Sequence, residues 1–572
     1  MKKKILLLFL LVSFTLCQED TSYIVFMDNI IKVPHEGGAT ISGTTVVIEK
    51  PGIYLVQGKS EEGNIVIKSS SVSLYLQNLE LSSKTTAPII VTSGLDNVKI
   101  VTLQKSVLND LEDYLTTTGE CAAIKVKKKS TLYFENSDTL TLNGVCKNII
   151  KGGSQTSLIF KKSDGEYIIN ANKTGISSDG SLEFNGGVFT IVSDNGDGIK
   201  SEPDKTDTDS LGKILINDGK FNIQSFNDAI IAKNNITIVN GVFDIKTENG
   251  YESTTYDSNE SSKGFKLTNN ETGCGITIYS GEFSINSADD AFHSKRDIKI
   301  FSGKYIIYSK DDGISAKYDL ILGKKDAPND ELDLKILNSY EALEGMTVTI
   351  NSGKIIATAT DDGINASGEH VERNGPRPDW NRNRTNRTRR NRSRDDPFVP
   401  SGDRPHRMRG NASFYISIYD GEIYVFCDGD GIDSNGNIFI HGGDINVFSQ
   451  GNRDNEPIDH DGNFTLFNGQ VLGVGSRGIE YIHAGIKKGN QMYAYYAGAI
   501  AKENLLEIRD ENGEVVKEGV ITKDINYIFY SSPKLNEKYS FHIFDQQSGA
   551  ETKLETVFNT PENGEDNDDI NY

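Results

Sequence analysis

The sequence is poor in cysteine, in tryptophan and in long apolar runs, and each shortage excludes a class of protein. It has five cysteines and one tryptophan in 572 residues. Five cysteines are too few to staple a chain of this length as a disulfide scaffold, and without a CxxC pair nothing indicates a zinc cluster. After the N-terminal segment, no stretch approaches the ~18 consecutive apolar residues of a membrane-spanning helix. We therefore expect no stable insertion into a membrane.

The N-terminal segment has the order of a secretory signal. MKKKILLLFLLVSFTLCQED begins with three lysines, continues with an apolar run and ends in small or polar residues. This order is typical of a signal peptide, whereas the apolar run is too short to cross a bilayer comfortably as an anchor. We predict a signal peptide over residues 1–17, with cleavage near Cys17, and a protein that is secreted or held at the cell surface.

Positive charge is scarce outside one segment. Residues 371–410 hold twelve arginines and five acidic residues, a net +7 in a chain of net −21, so the remainder carries −28. An acidic body repels nucleic acid and anionic membranes, so we expect no nucleic-acid partner and a bridging cation wherever an acidic polymer binds. The arginine-rich segment, 369–411, is predicted to be a disordered insertion and a solvated loop, although basic runs also bind polyanions.

An acidic motif returns along the chain at intervals near 22 residues. The motif is a carboxylate, a small residue and an apolar residue, and it begins at Asp197, Asp228, Asp290, Asp312, Asp362 and Asp430. Weaker copies begin at Lys263, Glu341 and Glu456. A fixed period of this kind indicates a repeat architecture, in which equivalent residues occupy the same corner of successive repeats.

A second motif alternates with the first and predicts strands. ITIYSGEFSINS, IKIFSGKYIIYS and IFIHGGDINVFS each show alternating apolar residues around a turn that ends in glycine. Taken singly, such pieces resemble antiparallel hairpins, and nine of them would suit a propeller. A unit of ~22 residues is too short for a propeller blade of ~40–45 but holds the three short strands of one turn of a parallel β-helix. The predicted fold is all-β, a parallel β-helix.

The pattern also predicts the domain boundaries. Residues 20–486 carry the β-helix pattern, whereas residues 487–560, with LLEIRDENGEVVKEG as a predicted hairpin, read as a small β cap over its open end. Residues 561–572 form an acidic tail. Cys121 and Cys146 lie 25 residues apart, close to one repeat, and are placed to pair across neighbouring turns.

The repeated aspartates are candidate metal ligands. Asp-Gly is a favourable turn pair, so any single copy has a purely structural explanation. Doubled acids are harder to explain this way, because two carboxylates ~5 Å apart repel by roughly 3–4 kcal/mol at an effective dielectric of about 20. Calcium reverses the sign of that interaction and accepts oxygen ligands in loose geometry. The candidate ligands are Asp197, Asp228, Asp289, Asp290, Asp311, Asp312, Asp361, Asp362, Asp428, Asp430 and Asp433. Lysines five residues after a repeated aspartate, Lys295 and Lys317 among them, either neutralise the acids or meet a substrate.

The order of several motifs resembles a known family. GIYLVQG, SVLNDLED, YEALEGMTVTI, GDGIDSNGNIFIHGG, IDHDG and a late SSPKL, between about residues 40 and 545, are similar to the clostridial-type secreted carbohydrate-binding β-helix proteins. That family is in turn similar to the family-nine pectate lyases. The resemblance implies a right-handed parallel β-helix, bound calcium, and plant cell-wall polysaccharide, such as polygalacturonate or cellulose, as the partner.

The resemblance also implies roles for residues. In the lyase relatives, calcium held by aspartates contacts the uronate and a lysine removes the C5 proton. The matching positions are Asp289, Asp290, Asp311 and Asp312, with Lys295 or Lys317 as the candidate base. The sequence leaves three functions open: a monomeric calcium-dependent polysaccharide binder that does not cut, a pectate lyase, and a structural or adhesive surface protein.

Overall fold

The structure, a computed structural model, describes most of the chain. The described residues are 21–28, 30–33, 37–112, 121–203, 211–255, 261–367, 413–449, 455–476 and 491–559. The predicted signal peptide, the arginine-rich insertion and the acidic tail lie outside them. The described residues are all-β, with long, mainly parallel sheet pairing, and the chain divides into two compact units, residues 1–247 and 248–572. Within this part of the chain, no helix is long and apolar enough to cross a membrane.

The first unit consists of short strands. In chain order the described strands are β1 (Thr21–Met27), β2 (Ile30–Lys32), β3 (Ala39–Ser42), β4 (Thr45–Ile48), β5 (Gly52–Ser60), β6 (Asn64–Ile67), β7 (Val72–Ser83), β8 (Ile89–Val91), β9 (Val98–Thr102), β10 (Ser106–Asp110), β11 (Ile124–Val126), β12 (Thr131–Asn136), β13 (Leu140–Gly144), β14 (Ile150–Gly152), β15 (Ser157–Phe160), β16 (Glu166–Ala171), β17 (Ile176–Ser178), β18 (Ser181–Phe184), β19 (Val188–Ser193), β20 (Ile199–Ser201), β21 (Lys213–Ile216), β22 (Lys220–Ser225), β23 (Ile230–Ala232), β24 (Asn235–Ile238) and β25 (Val242–Thr247).

From β8 onward, each strand of this unit pairs in parallel with the third strand after it. The pairings β8–β11–β14–β17–β20–β23 form one ladder. A second ladder runs from β9 to β24 and a third from β10 to β25 in the same manner. Paired residues such as Lys220 and Val242 lie 22 residues apart. The predicted period is therefore confirmed, and neighbouring strands of a turn motif pair with other repeats instead of with each other.

The second unit continues with strands of the same kind and a short 3-10 helix. Its described elements are β26 (Phe265–Leu267), β27 (Gly275–Ile278), β28 (Glu282–Ser287), β29 (Phe292–Ser294), β30 (Asp297–Ile300), β31 (Gly303–Ser309), β32 (Ile314–Leu322), the 3-10 helix Asn329–Glu331, β33 (Leu332–Asn338), β34 (Leu343–Ile350), β35 (Lys354–Ala359), β36 (Ile364–Ala366), β37 (Tyr415–Ile418), β38 (Glu422–Cys427), β39 (Ile432–Ser434), β40 (Asn437–Ile440), β41 (Asp444–Ser449), β42 (Ile458–His460), β43 (Phe464–Leu466), β44 (Gln470–Gly475), β45 (Tyr493–Ile500), β46 (Asn504–Arg509), β47 (Val515–Val520), β48 (Ile525–Ser531), β49 (Ser540–Asp545), β50 (Glu551–Lys553) and β51 (Val557–Asn559).

The parallel ladders of this unit include the acidic repeats. One ladder joins β26, β29, β32, β34, β36, β39 and β42. The long strands β32 and β34 each serve two ladders, since the second half of β32 pairs with β30 and with the second half of β34. Another ladder joins β28, β31, β33, β35, β38, β41 and β44. Equivalent residues are thus adjacent throughout the series.

Alternating apolar residues produce the interior. In β22 every second residue is buried, and the buried Phe221 stacks on Phe189 and Phe243 with ring centroids 5.0 Å apart. Phe134, Phe160 and Phe184 form a second stack with spacings of 4.6 and 4.7 Å. In-register pairing places aromatic rings on aromatic rings. Burial of each ring stabilises the fold by roughly 1.5–3 kcal/mol, and each stacked pair of rings adds up to about 1.5 kcal/mol.

Antiparallel strands follow the last ladder strand. β48 pairs with both β44 and β45, and the predicted hairpin, now β46 and β47, belongs to a separate four-stranded sheet. Residues of these strands share one apolar cluster with Phe448, Leu472 and Val474 of the ladder strands. The apolar residues at the end of the ladders are therefore covered instead of exposed to solvent.

Cys121 and Cys146 form a disulfide with Cα atoms 5.8 Å apart. The bridge joins the turns that precede β11 and β14, which are paired strands. The pairing anticipated from their spacing is confirmed.

We predict that replacing both cysteines with serine destabilises the surrounding turns by about 3–4 kcal/mol, because a closed loop of 25 residues restricts the unfolded chain. Calorimetry should show a lower melting temperature for the Cys121→Ser/Cys146→Ser variant. A reducing agent should lower the melting temperature of the wild type but not that of the variant. Equal sensitivity of the two proteins to reduction would contradict the prediction.

Candidate functional site

The acidic repeats of the second unit stack at one corner. Each lies directly before a strand of the ladder that begins with β26, and the register pairs Phe292 with Ile314 and Ile364 with Ile432. The backbone N–H of Ala291 donates to the carbonyl of Asp312 (3.0 Å), and that of Gly363 donates to Asp430 (2.9 Å). The prediction that these aspartates occupy equivalent positions is therefore confirmed.

The stacked aspartates have a structural task that needs no metal. Oδ1 of Asp290 accepts the backbone N–H of Asp312 (3.1 Å), and Oδ1 of Asp312 accepts that of Glu341 (3.2 Å). Oδ1 of Asp362 likewise accepts the backbone N–H of Asp430 (2.7 Å). Each carboxylate thus satisfies a backbone donor of the next repeat, which accounts for an acceptor side chain at this corner.

Two of the acids are neutralised by a lysine that occupies a repeat position itself. Nζ of Lys263 lies 2.6 Å from Oδ1 of Asp289 and 2.8 Å from Oδ2 of Asp290, and both aspartates are only 3 % exposed. Nδ1 of His293 lies 2.8 Å from Oδ2 of Asp290. Burial alone would raise the pKa of Asp290, but Lys263 and His293 outweigh it and hold that pKa well below its usual range.

The ion pairs of Lys263 bear on whether the predicted metal ligands around Asp290 can bind a cation. Asp289, Asp290 and Asp311 offer oxygens within 4.8 Å of one another, as a metal site requires. The ammonium group of Lys263, however, already contacts two of the three carboxylates. With the lysine in place, this cluster does not suit a divalent cation.

The lysines singled out in the sequence lie elsewhere on the repeat. Lys295 is exposed and follows β29, whereas Asp290 precedes it. Five residues of extended chain separate their Cα atoms by roughly 16 Å. Lys317, also exposed, lies within β32 at the same offset from Asp312. Lys263 is therefore the lysine that contacts the Asp289–Asp290 pair, and only its alignment with the repeat could have indicated this.

A second group of acids has pKa values raised by burial and by other acids. We call it the acid cluster: Asp362, Asp430 and Asp433, with Asn365 beside them in the register Asn365–Asp433. Burial together with neighbouring carboxylates raises the pKa of Asp362 to about 6, of Asp430 to about 7 and of Asp433 to about 8. Asp459 contributes to all three shifts.

Asn365 adds an unsatisfied oxygen to the acid cluster. The side chain is 6 % exposed, and its Nδ2 donates to Oε2 of Glu341 (3.1 Å). Its Oδ1 is buried without a hydrogen-bond partner. A buried acceptor without a partner is costly in a folded protein, and a cation or a donor group at this oxygen would remove that cost.

The remaining candidates are dispersed. In the first unit, Asp197 forms an ion pair with Lys200 (3.2 Å), and Asp228 is 2 % exposed. In the second unit, burial and four neighbouring acids raise the pKa of Asp312 well above its usual value. Asp361 hydrogen-bonds the hydroxyl of Tyr340. Asp428 is exposed and forms an ion pair with Lys523.

The fold and the corner together define an all-β repeat protein with stacked acidic side chains. Residues 42–313 match the model of a family described as carbohydrate-binding domain-containing proteins. The solved structure of a polysaccharide lyase-like protein from C. thermocellum, a gadolinium derivative, matches at 22 % identity with a TM-score of 0.36, covering 46 % of this chain and all of that one. Among curated proteins, none matches.

We predict that Lys263→Met destabilises the second unit by about 3–5 kcal/mol at pH 7, because the change leaves two buried carboxylates without their cation. Since the folded pKa of Asp290 is depressed, this stabilisation is present above its unfolded pKa of about 3.9 and is lost as the pH falls below it. Urea unfolding at pH 7 and at pH 2 measures the difference.

Lys304→Met, at an exposed position of β31, is the matched control and should change stability by less than about 0.5 kcal/mol. If Lys263→Met were equally destabilising at both pH values, packing instead of charge would explain the loss.

Proposed function

We propose that this protein is a secreted, calcium-dependent carbohydrate-binding protein that recognises plant cell-wall polysaccharide without cleaving it. The observation that carries the proposal is the acid cluster, where burial and neighbouring carboxylates raise the pKa values of Asp362, Asp430 and Asp433. The unsatisfied Oδ1 of Asn365 belongs to the same ladder. The carbohydrate-binding family matched by residues 42–313 supports the partner class.

The fold proposed for it is a right-handed parallel β-helix with a small C-terminal β cap. Parallel pairing of each strand with the third strand after it, seen within each unit, is the pairing that a β-helix with three strands per turn requires. β45 to β51 would form the cap, because they share an apolar cluster with Phe448 and Leu472.

The donor set of the acid cluster suits calcium. Three carboxylates and an amide oxygen are hard oxygen ligands, and calcium takes six to eight of them in flexible geometry. Asp362, Asp430, Asp433 and Asn365 would hold the ion, which would lower the pKa values that the carboxylates now raise for one another. The acid cluster itself offers oxygen ligands only, which disfavours zinc.

An acidic protein needs such an ion to bind a uronate polymer. The chain carries a net charge of −21, so a polygalacturonate chain is repelled by the body as a whole. Calcium accepts oxygens from both partners and joins them. Cellulose or another neutral glucan would not require the ion, and the dependence of binding on calcium separates these partners.

Binding without cleavage is favoured over the lyase alternative. A lyase needs a base of lowered pKa at the bound uronate, and calcium, when bound, would acidify the C5 proton. The contacts place Lys263 between two carboxylates, which raise its pKa instead of lowering it. Lys295 and Lys317 remain the candidate bases for a lyase. A structural or adhesive role is the third reading, since the aspartates also hydrogen-bond backbone donors.

We predict that calcium raises the melting temperature more at pH 8 than at pH 5.5, because it competes with protons for carboxylates of raised pKa. Without calcium, stability should fall as the pH rises from about 4 towards 8, since the unfolded acids ionise first. Asp433→Asn should remove the calcium effect and stabilise the metal-free protein at pH 8. Differential scanning calorimetry with calcium and with a chelator measures both.

Asp428→Asn is the matched control, because Asp428 is exposed and paired with Lys523. It should retain the full calcium effect. The same calcium effect in the Asp433→Asn variant as in the wild type would remove the acid cluster from the proposal.

We further predict that hexagalacturonate binds in calcium and not with a chelator, and that Asp430→Asn/Asp433→Asn weakens binding at least tenfold. Titration calorimetry measures the affinity, and absorbance of unsaturated uronide ends during incubation with polygalacturonate detects cleavage. Unsaturated ends that disappear in Lys295→Met or Lys317→Met would establish the lyase instead. Equal binding with and without calcium would show that the acid cluster takes no part in binding the sugar. The absence of all binding would favour the structural role.

A further inference from the structure

A cleft in the first unit has a lining quite different from the acid cluster. It has a volume of about 390 Å³ and is lined by Asn143, Val145, Asn170, Asn172 and Asp194, together with two small residues. Ligand-binding clefts of proteins commonly begin near this size. The lining is dominated by amides, and Asp194 is its one charged side chain.

The amides are held in a fixed orientation by a hydrogen-bonded ladder. Nδ2 of Asn109 donates to Oγ of Ser82 (2.9 Å), Nδ2 of Asn143 donates to Oδ1 of Asn109 (2.8 Å), and Nδ2 of Asn170 donates to Oδ1 of Asn143 (2.8 Å). The register of β10, β13 and β16 aligns these three asparagines. Because every amide is oriented by its neighbour, the cleft is organised before any ligand arrives.

The ladder ends inside the cleft. In the next strand the equivalent residue is Val192, which cannot donate a hydrogen bond. Within the described part of the chain, Oδ1 of Asn170 therefore accepts none, and one N–H of Asn170 also points away from the ladder. An exposed amide that presents a donor and an acceptor side by side matches two neighbouring hydroxyl groups.

The amide of Asn172, another lining residue of the cleft, is also held by hydrogen bonds. Nδ2 of Asn172 donates to the carbonyls of Val145 (2.9 Å) and Cys146 (3.1 Å), and its Oδ1 accepts from Asn195 (2.9 Å). These three contacts fix the orientation of the Asn172 amide. The side chain of Val145 is 59 % exposed and gives the cleft an apolar surface beside its polar groups.

We infer that this cleft is a second sugar site and that it takes a neutral pyranose of a polysaccharide chain. The hydroxyls meet the amide of Asn170 and the carboxylate of Asp194, and a C–H face of the ring meets Val145. A uronate is disfavoured, because Asp194 and the net negative chain repel it and no cation partner lines the cleft. Binding here requires no calcium.

The inference rests on the proposed carbohydrate-binding function and adds a ligand class to it. The cleft lies within residues 42–313, the segment that matches the carbohydrate-binding family, whereas the acid cluster lies outside that segment. The two sites use different chemistry, so each can fail without the other.

The test is titration of the whole mature protein, in a chelator, with cellohexaose, xylohexaose and galactohexaose. At least one should bind, and Asn170→Val should weaken that binding about tenfold or more, since it removes the free donor and acceptor. Valine is the residue that the same column carries at position 192, so the fold tolerates it. Gln224→Val, two repeats further along that column and outside the cleft, is the matched control and should bind as the wild type does.

Each outcome decides one of the two sites. Failure of all three neutral sugars, with hexagalacturonate still bound in calcium, would overturn the cleft and leave the acid cluster standing. Neutral binding that Asn170→Val leaves unchanged would also overturn the cleft. Binding lost in Asn170→Val while calcium-dependent uronate binding is absent would support the cleft and overturn the acid cluster. If no sugar binds under any condition, both fail.

Discussion

In-register parallel pairing is the constraint on which the rest of this structure depends. Whether equivalent residues are 22 positions apart, as Lys220 and Val242 are, or 32, as Val188 and Lys220 are, parallel pairing places their backbones about 4.8 Å apart. For apolar residues this is favourable, and the stack of Phe189, Phe221 and Phe243 shows the result. For ionised residues it is unfavourable, because like charges are placed in contact. The surface chemistry depends on how side chains at equivalent positions of successive repeats avoid this repulsion.

Three groups of side chains meet it in three ways. At the Asp289–Asp290 pair, a lysine stands in place of the acid in the preceding repeat, and its ammonium group contacts both carboxylates. In the amide ladder, asparagine contacts asparagine, and the Nδ2 of each side chain donates to the Oδ1 of the asparagine in the preceding repeat. In the acid cluster, burial and then the neighbouring carboxylates raise the pKa values of Asp430 and Asp433. A proton or a cation relieves the repulsion among these carboxylates, whereas the other two groups need neither.

Much of this architecture could be read from sequence, because the period and the alternation are properties of consecutive residues. The strand ladders, the common corner of Asp290 and Asp312, and the Cys121–Cys146 bridge all follow from counting along the chain. Which side chains contact each other across repeats cannot be predicted from these spacings. Lys295 and Lys317 seemed to be the natural partners of the acids, yet a strand separates Lys295 from Asp290, and Lys263 makes the contact from the preceding repeat. The orphaned oxygen of Asn365 and the direction of the amide ladder depend on hydrogen bonds across repeats, which no linear motif records.

Under the proposed function, an acid cluster is a better device for recognising a uronate polymer than a basic patch would be. A lysine-rich surface attracts any polyanion, nucleic acid included, through forces that act over several ångströms and weaken with salt. A negative surface rejects all of them until calcium is coordinated, and a coordinated ion then selects ligands that can supply several oxygens at short range. Specificity therefore resides in the coordination sphere, while the repulsion of the surrounding chain suppresses other anions. The proposed amide cleft would add a second kind of recognition. Its amides would bind the hydroxyl groups of a sugar, which the acid cluster does not distinguish from water.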